Sequence, residues 1–151
     1  MESVRRLGPA EALTGLRAAM TFASGLVAVN RLCKGEPVGY SGTWTCPEDM
    51  PVGIAAVGYG DGYPRHAPSG TPVLVNGQPA RVAGRVSMDL MAIDLRGVPD
   101  ARVGDPVVLW GERLPVETVA AAAGTIGYQL TCGIAARVTR AQGAAGKFYA
   151  S

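Results

Sequence analysis

The sequence predicts an all-β domain, a small closed or partly open β-barrel of about eight strands with one short helix, and three observations carry that reading. Short apolar runs recur between close turns, glycine and proline are abundant at 21 and 11 residues, and a single segment shows sustained helical spacing. A chain of 151 residues holds one domain with its own core, burying roughly 70% of its unfolded surface. Its 48% hydrophobic and 17% charged content suits a folded, turn-rich domain rather than a disordered one.

Residues 1–15 read as a linker or entering segment: Leu7, Ala10 and Leu13 fall near helical spacing, but Gly8, Pro9 and Gly15 interrupt it. The barrel domain is placed at 16–140, and the small residues of 141–151 form a flexible tail expected to fray. Met20 to Leu32 is a first strand, with Leu26, Ala28 and Leu32 alternating against Val27 and Val29, and Lys34-Gly35-Glu36-Pro37 turns the chain. Val38 to Trp44 reads as the second strand, broken by Cys46-Pro47-Glu48-Asp49; Val52 to Val57 is a continuous apolar strand running into Gly58. Between Val73 and Val82, Asn76-Gly77 separates two apolar runs and calls for the positive φ of a type I′ turn, hence a β-hairpin.

Arg85 to Asp89 leads into Leu90 to Leu95, where Met91, Ile93 and Leu95 form one apolar face. Asp100 to Asp105 is a polar turn before the buried strand Pro106 to Trp110. Pro115 suits a first helical turn, Val116, Val119, Ala120 and Ala123 follow at helical spacing, and Gly124 supplies the stop. Ile126 to Arg140 returns to β character through Tyr128-Gln129-Leu130-Thr131 and Ile134 to Val138.

A net charge of +2 with no basic run gives no footprint for nucleic acid or a membrane surface, and leaves room for a small anionic ligand. Cys33, Cys46 and Cys132 are odd in number and far apart, so they read as reduced thiols of a cytoplasmic protein rather than as a disulfide framework or a zinc ribbon. No apolar run approaches the ~18 residues of a spanning helix. His66 is the single histidine, which leaves metal and triad chemistries without a constellation. Lys34 and Lys147 are the lysines, and neither sits in the apolar setting that makes a lysine a Schiff-base nucleophile. An enzyme complete within these residues is therefore not expected.

Pro37-Val38-Gly39-Tyr40-Ser41-Gly42-Thr43-Trp44 presents one phenol on a glycine-flanked strand end that another molecule could approach closely. Two readings stand: a half-buried sheet aromatic with its hydroxyl satisfied, or a general base, which requires a fixed cation and an aimed oxygen. Gly58-Tyr59-Gly60-Asp61-Gly62-Tyr63-Pro64-Arg65 is not a dinucleotide loop, because Pro64 and the turn residues after it forbid the helix such a loop must open. It is either a wide turn in which Asp61 bonds its own backbone, or a loop of positive-φ positions projecting two tyrosines and an arginine. Met88 alone reads as core packing.

Together these stretches resemble a known family. Met20-Thr21, Gly35 to Tyr40, Thr43-Trp44, Gly58 to Arg65, Val75-Asn76-Gly77, Gly84 to Asp89, Gly104-Asp105-Pro106-Val107 and Thr125-Ile126-Gly127-Tyr128 follow one another in the order and spacing of the C-terminal β-domain of bacterial alanine racemases. The resemblance covers about Leu16 to Arg140. Ser41 stands where glycine is more usual beside the tyrosine, Ala18 replaces a common proline, and residues 1–15 match weakly.

The resemblance implies an isomerase interconverting L-alanine and D-alanine, the latter a peptidoglycan precursor. In such enzymes an N-terminal (β/α)8 barrel carries pyridoxal 5′-phosphate on a lysine, and the β-domain covers the barrel mouth of the partner subunit in a homodimer. It further implies that Tyr40 is the base for the L-enantiomer, that the Met88 backbone N–H binds the substrate carboxylate and that Tyr59 narrows the entrance. Tyr128 would contact the cofactor phosphate, and Arg65, Arg85, Asp89 and Ile126 would line the corridor leading in. Without the barrel the chain is expected to be inactive. The other reading is a non-catalytic barrel for binding or dimerisation, or a gene fragment.

Overall fold

The computed structural model describes residues 18–142 and 147–149. The segment 1–15 read as a linker lies outside the described residues. The strands are β1 (Thr21–Leu32), β2 (Pro37–Val38), β3 (Trp44–Thr45), β4 (Met50–Ala55), β5 (Pro72–Val75), β6 (Gln78–Val82), β7 (Met91–Asp94), β8 (Pro106–Trp110), β9 (Thr139–Ala141) and β10 (Lys147–Tyr149). Two short helices, α1 (Val116–Ala123) and α2 (Gly127–Cys132), lie between β8 and β9.

Six strands close a barrel in the order β1-β4-β7-β6-β5-β8 and back to β1, every pairing antiparallel. Closure depends on the length of β1. Its first residues pair with β8, from Phe22↔Trp110 to Gly25↔Pro106, and its later ones with β4, from Leu26↔Ala55 to Leu32↔Met50. A register shift between Leu26 and Ala28 falls where β1 begins to pair with β4, in keeping with the bends that bulges allow at barrel corners. β10 runs parallel to the start of β1 and β9 pairs with β10, so part of the stretch 141–151 read as a tail is paired; 143–146 and 150–151 lie outside the described residues.

The barrel interior holds Leu26, Val57, Val73, Val75, Met91, Ile93, Leu95, Val107 and Leu109, each at most 2% exposed. At one end Phe22 and Trp110 pack with ring centroids 4.8 Å apart, and Tyr63 stacks on Trp110 at 6.3 Å. These aromatics supply large buried area in an aromatic-poor chain. A second cluster of Val38, Cys46, Met50, Val52, Ala83 and Ala92 lies between the outer face of β4 and β7 and the small β2–β3 sheet. It explains why Ala92 is buried beside Met91 and Ile93, against simple alternation. Burial, with nearby carboxylates adding to it, pushes the Cys46 thiol up.

The Asn76-Gly77 hairpin forms as read, with φ of 52° and 73° at the two turn residues. The helix over 116–123 ends at Gly124, whose left-handed φ of 70° lets its N–H reach the carbonyls of Ala120 and Ala121. Two expectations are corrected. The stretch after Ile126 opens with α2 rather than a strand, giving two helices instead of one. Gly127 lies against the Val116 side chain and Leu130 is buried, so contact with α1 overrides the β-leaning composition of Tyr128 to Thr131. Val38 to Trp44 is not one strand: the chain leaves β2 after Val38 and makes a 3₁₀ turn over Tyr40–Gly42 before β3.

Candidate functional site

Tyr40 owes its position to that turn. Gly39 has φ of 81°, and a Cβ there would stand 2.8 Å from the Arg85 backbone nitrogen; one on Gly84 would stand 2.5 Å from the Val38 carbonyl oxygen. Two backbones thus meet with no side chain between them, which sets Tyr40 beside Arg85. Ser41, the departure noted in the sequence, has φ of 65°, the left-handed conformation that glycine adopts without strain. The β2–β3 sheet is held from below by the second core cluster, so the turn stands on a packed base while Tyr40 itself is 63% exposed.

The loop after β4 docks on the segment before β7 in a similar way. A Cβ on Gly58 would lie 2.2 Å from the Ser87 carbonyl oxygen and 2.4 Å from that of Met88. The bare backbone lets the Tyr59 N–H donate to Ser87 O at 3.1 Å and the Gly60 N–H to Met88 O at 2.8 Å. Ser87 N–H donates to Leu90 O, which tightens the turn around Met88 and Asp89. The Met88 N–H has no acceptor among the described residues.

These contacts converge on an open cavity of about 360 Å³ lined by Tyr40, Tyr59, Arg65, Arg85, Met88 and Asp89, with Val86, Ser87 and Leu90. Six of the eight residues singled out in the sequence therefore share one site. The Arg65 guanidinium lies 5.6 Å from the centre of the Tyr59 ring, within cation–π range. An adjoining cavity of about 570 Å³ shares Arg65 and Arg85 and adds Thr43, His66 and Ser69. Among the described residues the ion pairs are made by Arg96 and Arg137, so Arg65 and Arg85 keep their charge available to a ligand. Ile126 and Tyr128 are placed elsewhere: they line a groove of about 570 Å³ between α1 and α2 that shares no residue with the Tyr40 cavity. Tyr128 is 82% exposed.

Tyr63, in the same loop as Tyr59, has the opposite environment. Burial pushes its phenol well above the usual tyrosine range, and among the described residues neither its hydroxyl nor the Trp110 indole N–H has a hydrogen-bond partner. It is a core residue.

Sequence reasoning missed Arg137. Its Nε donates to Asp61 Oδ1 at 2.9 Å and its Nη2 to Asp89 Oδ1 at 2.6 Å, and these two carboxylates raise its pKa. Asp61, 4% exposed, also accepts the Gly58 N–H at 3.0 Å through Oδ2. The carboxylate between two glycines was visible, but nothing local pointed to a partner 76 residues away. Among the described residues no group of three His, Cys, Asp or Glu is placed to hold a metal ion, and no helix is long and apolar enough to cross a membrane.

Residues 19–142 match the family model described as alanine racemase, C-terminal domain. The alanine racemase of Nitrosococcus oceani is 57% identical over 129 residues, covering 85% of this chain and 36% of the relative. That of Coxiella burnetii is 59% identical over 122 residues, covering 81% and 34%. Among solved structures, the biosynthetic alanine racemase of Pseudomonas aeruginosa is similar over 97% of this chain and 38% of its own, with a TM-score of 0.81 and 46% identity. The alanine racemase of Acinetobacter baumannii matches 78% of this chain and 33% of its own, with a TM-score of 0.74 and 42% identity. The chain spans about a third of the length of the curated relatives it matches.

Proposed function

The chain belongs to the alanine racemase C-terminal domain family, and on that premise we propose that it supplies one proton-transferring face of an amino-acid racemase whose other face comes from a separate barrel domain in a homodimer. One observation carries the reading: a solvent-open cavity gathers an exposed phenol and, with no partner among the described residues, a backbone N–H and two guanidinium groups. Racemisation removes a proton from one face of the α-carbon and returns it to the other, so it requires a base on each face. Tyr40 is the base presented here; the opposite one is a lysine of the barrel.

Each remaining side chain has a physical role in that reading. Arg65 and Arg85 draw the substrate carboxylate into the cavity, and the Met88 N–H receives it. Asp89 borders the same cavity, and Tyr59 narrows the space beside Tyr40, so the site accepts a methyl side chain and excludes bulky ones. Pyridoxal phosphate fits this chain only as a partial guest. Lys34 is exposed in a turn, and in this reading the covalent anchor is supplied by the barrel, while Tyr128 offers an exposed phenol that can donate to a phosphate oxygen; Ile126 flanks it in the same groove. When bound, the cofactor withdraws electrons from the substrate and makes its α-proton acidic.

The test joins this chain to the barrel of the Nitrosococcus oceani relative and measures solvent deuterium exchange into each enantiomer in single turnovers. Tyr40→Phe keeps the ring and removes the proton acceptor, so exchange into L-alanine should fall about 10²–10⁴-fold while exchange into D-alanine falls far less. Equal losses for both enantiomers would sink the assignment of Tyr40. No gain over the barrel alone would favour a non-catalytic module.

A further inference from the structure

We infer that Arg137 is a positioning residue for the substrate-binding turn: it ties Asp89, beside Met88, to the buried Asp61 of the glycine loop, so that the Met88 N–H is held facing the cavity. The inference rests on the reading of Met88 given above. Its first support is the asymmetry of the two carboxylates. Asp61 is fixed, since it is 4% exposed and already accepts the Gly58 N–H at 3.0 Å, and a buried carboxylate without partners is costly. Arg137 is anchored to it through Nε at 2.9 Å and extends Nη2 to Asp89 at 2.6 Å. Asp89, with its side chain 63% exposed, is the solvent-facing end of the chain of bonds.

The second support is charge. Asp89 places a negative group next to an N–H that in this reading must receive a carboxylate. Arg137 neutralises it at contact distance. The outer pair adds little to folding, because both side chains are well exposed to water. What it contributes is the geometry of the turn, and the planar guanidinium suits this because its separate N–H groups address two carboxylates at once, which a lysine does only poorly.

The experiment has two arms. In the 151-residue chain, amide hydrogen exchange at Tyr59 and Gly60, which donate to Ser87 O and Met88 O, should quicken about tenfold in Arg137→Ala, the scale of one lost charge-assisted hydrogen bond, while Val82 and Ala83 in the barrel wall stay unchanged. In the barrel-joined enzyme, KM for L-alanine should rise about tenfold with kcat changed by less than about twofold, because Tyr40 is untouched. Unchanged exchange in a folded Arg137→Ala chain overturns the positioning role, whatever the enzyme does. Faster exchange with unchanged KM overturns its bearing on substrate and, with it, the assignment of Met88. Should Arg137→Ala fail to fold, Asp89→Asn removes only the outer charge pair. It should quicken Gly60 and leave Gly58, bonded to Asp61, as slow as before; equal rates at both in wild type and variant would again overturn the proposal.

Discussion

Asp94 and Asp61 each bind an arginine, and the two pairs belong to two regions built on different principles. Asp94, on β7 in the barrel wall, meets Arg96 two residues further along, with Nη2 at 2.7 Å and Nε at 3.1 Å. Asp61, in the glycine loop, meets Arg137 across 76 residues of chain, and the same guanidinium reaches Asp89. The wall contains a near-neighbour unit, the β5–β6 hairpin, while its other pairings join strands further apart in sequence and β1 closes it between β4 and β8. The loop face forms only where three distant segments are laid together by that closure. The expected order of dependence is that the face relies on the wall more than the wall relies on the face.

A cut into the wall tests this dependence with the largest effect. Trp110→Ala empties the space between Phe22 and Tyr63 and should lower stability by about 3–5 kcal/mol in urea unfolding. The amides of Tyr59 and Gly60 should lose protection together with those of the hairpin. A variant that keeps the loop face ordered after losing this much stability would break the proposed order of dependence.

A cut into the face should have a smaller and more local effect. Gly58→Ala places a methyl group 2.2 Å from Ser87 O and 2.4 Å from Met88 O, so one of the two backbones must move. The expected cost is about 1–3 kcal/mol, as for other overpacked sites. Amide shifts should change around residues 58–62, 87–90 and 133–137 and stay fixed in the β5–β6 hairpin. Changes spread evenly over the barrel would show that the two regions fold as one unit.

The same division governs what the sequence disclosed. Asn76-Gly77, the Pro106 to Trp110 strand and the helix stopped by Gly124 are specified by neighbours, and they appear as read. The 127–132 helix was illegible because its residues lean toward β structure and only packing on α1 decides otherwise. The break after Val38 follows from Gly39 meeting Gly84, a contact 45 residues apart that no local pattern announces. Six site residues were legible as a group through the family resemblance, which stores the outcome of such long-range contacts as motif order. Arg137 carried no motif, and its role appears only once Asp61 and Asp89 are seen on either side of it.

The smallest expected effect belongs to the local pair, and its sign can be worked out. Burial raises the Asp94 carboxyl, but the hydrogen bonds and charge of Arg96 outweigh it and hold the group below the usual aspartate range. A carboxylate depressed in the folded state contributes stability that is fully present above the unfolded value of about 3.9 and is lost as pH falls through the lower folded value. Arg96 is exposed and keeps a second partner in Glu48 at 2.9 Å, so Asp94→Asn should cost less than about 1 kcal/mol at neutral pH. That deficit should hold steady between about pH 7 and 5 and close as pH falls from the unfolded value of about 3.9 toward the lower folded value. Urea midpoints of both proteins across this range would decide it. A deficit that persists undiminished to about pH 3 would mean that Asp94 acts through shape rather than charge, and would remove the ionic half of the contrast with Asp61.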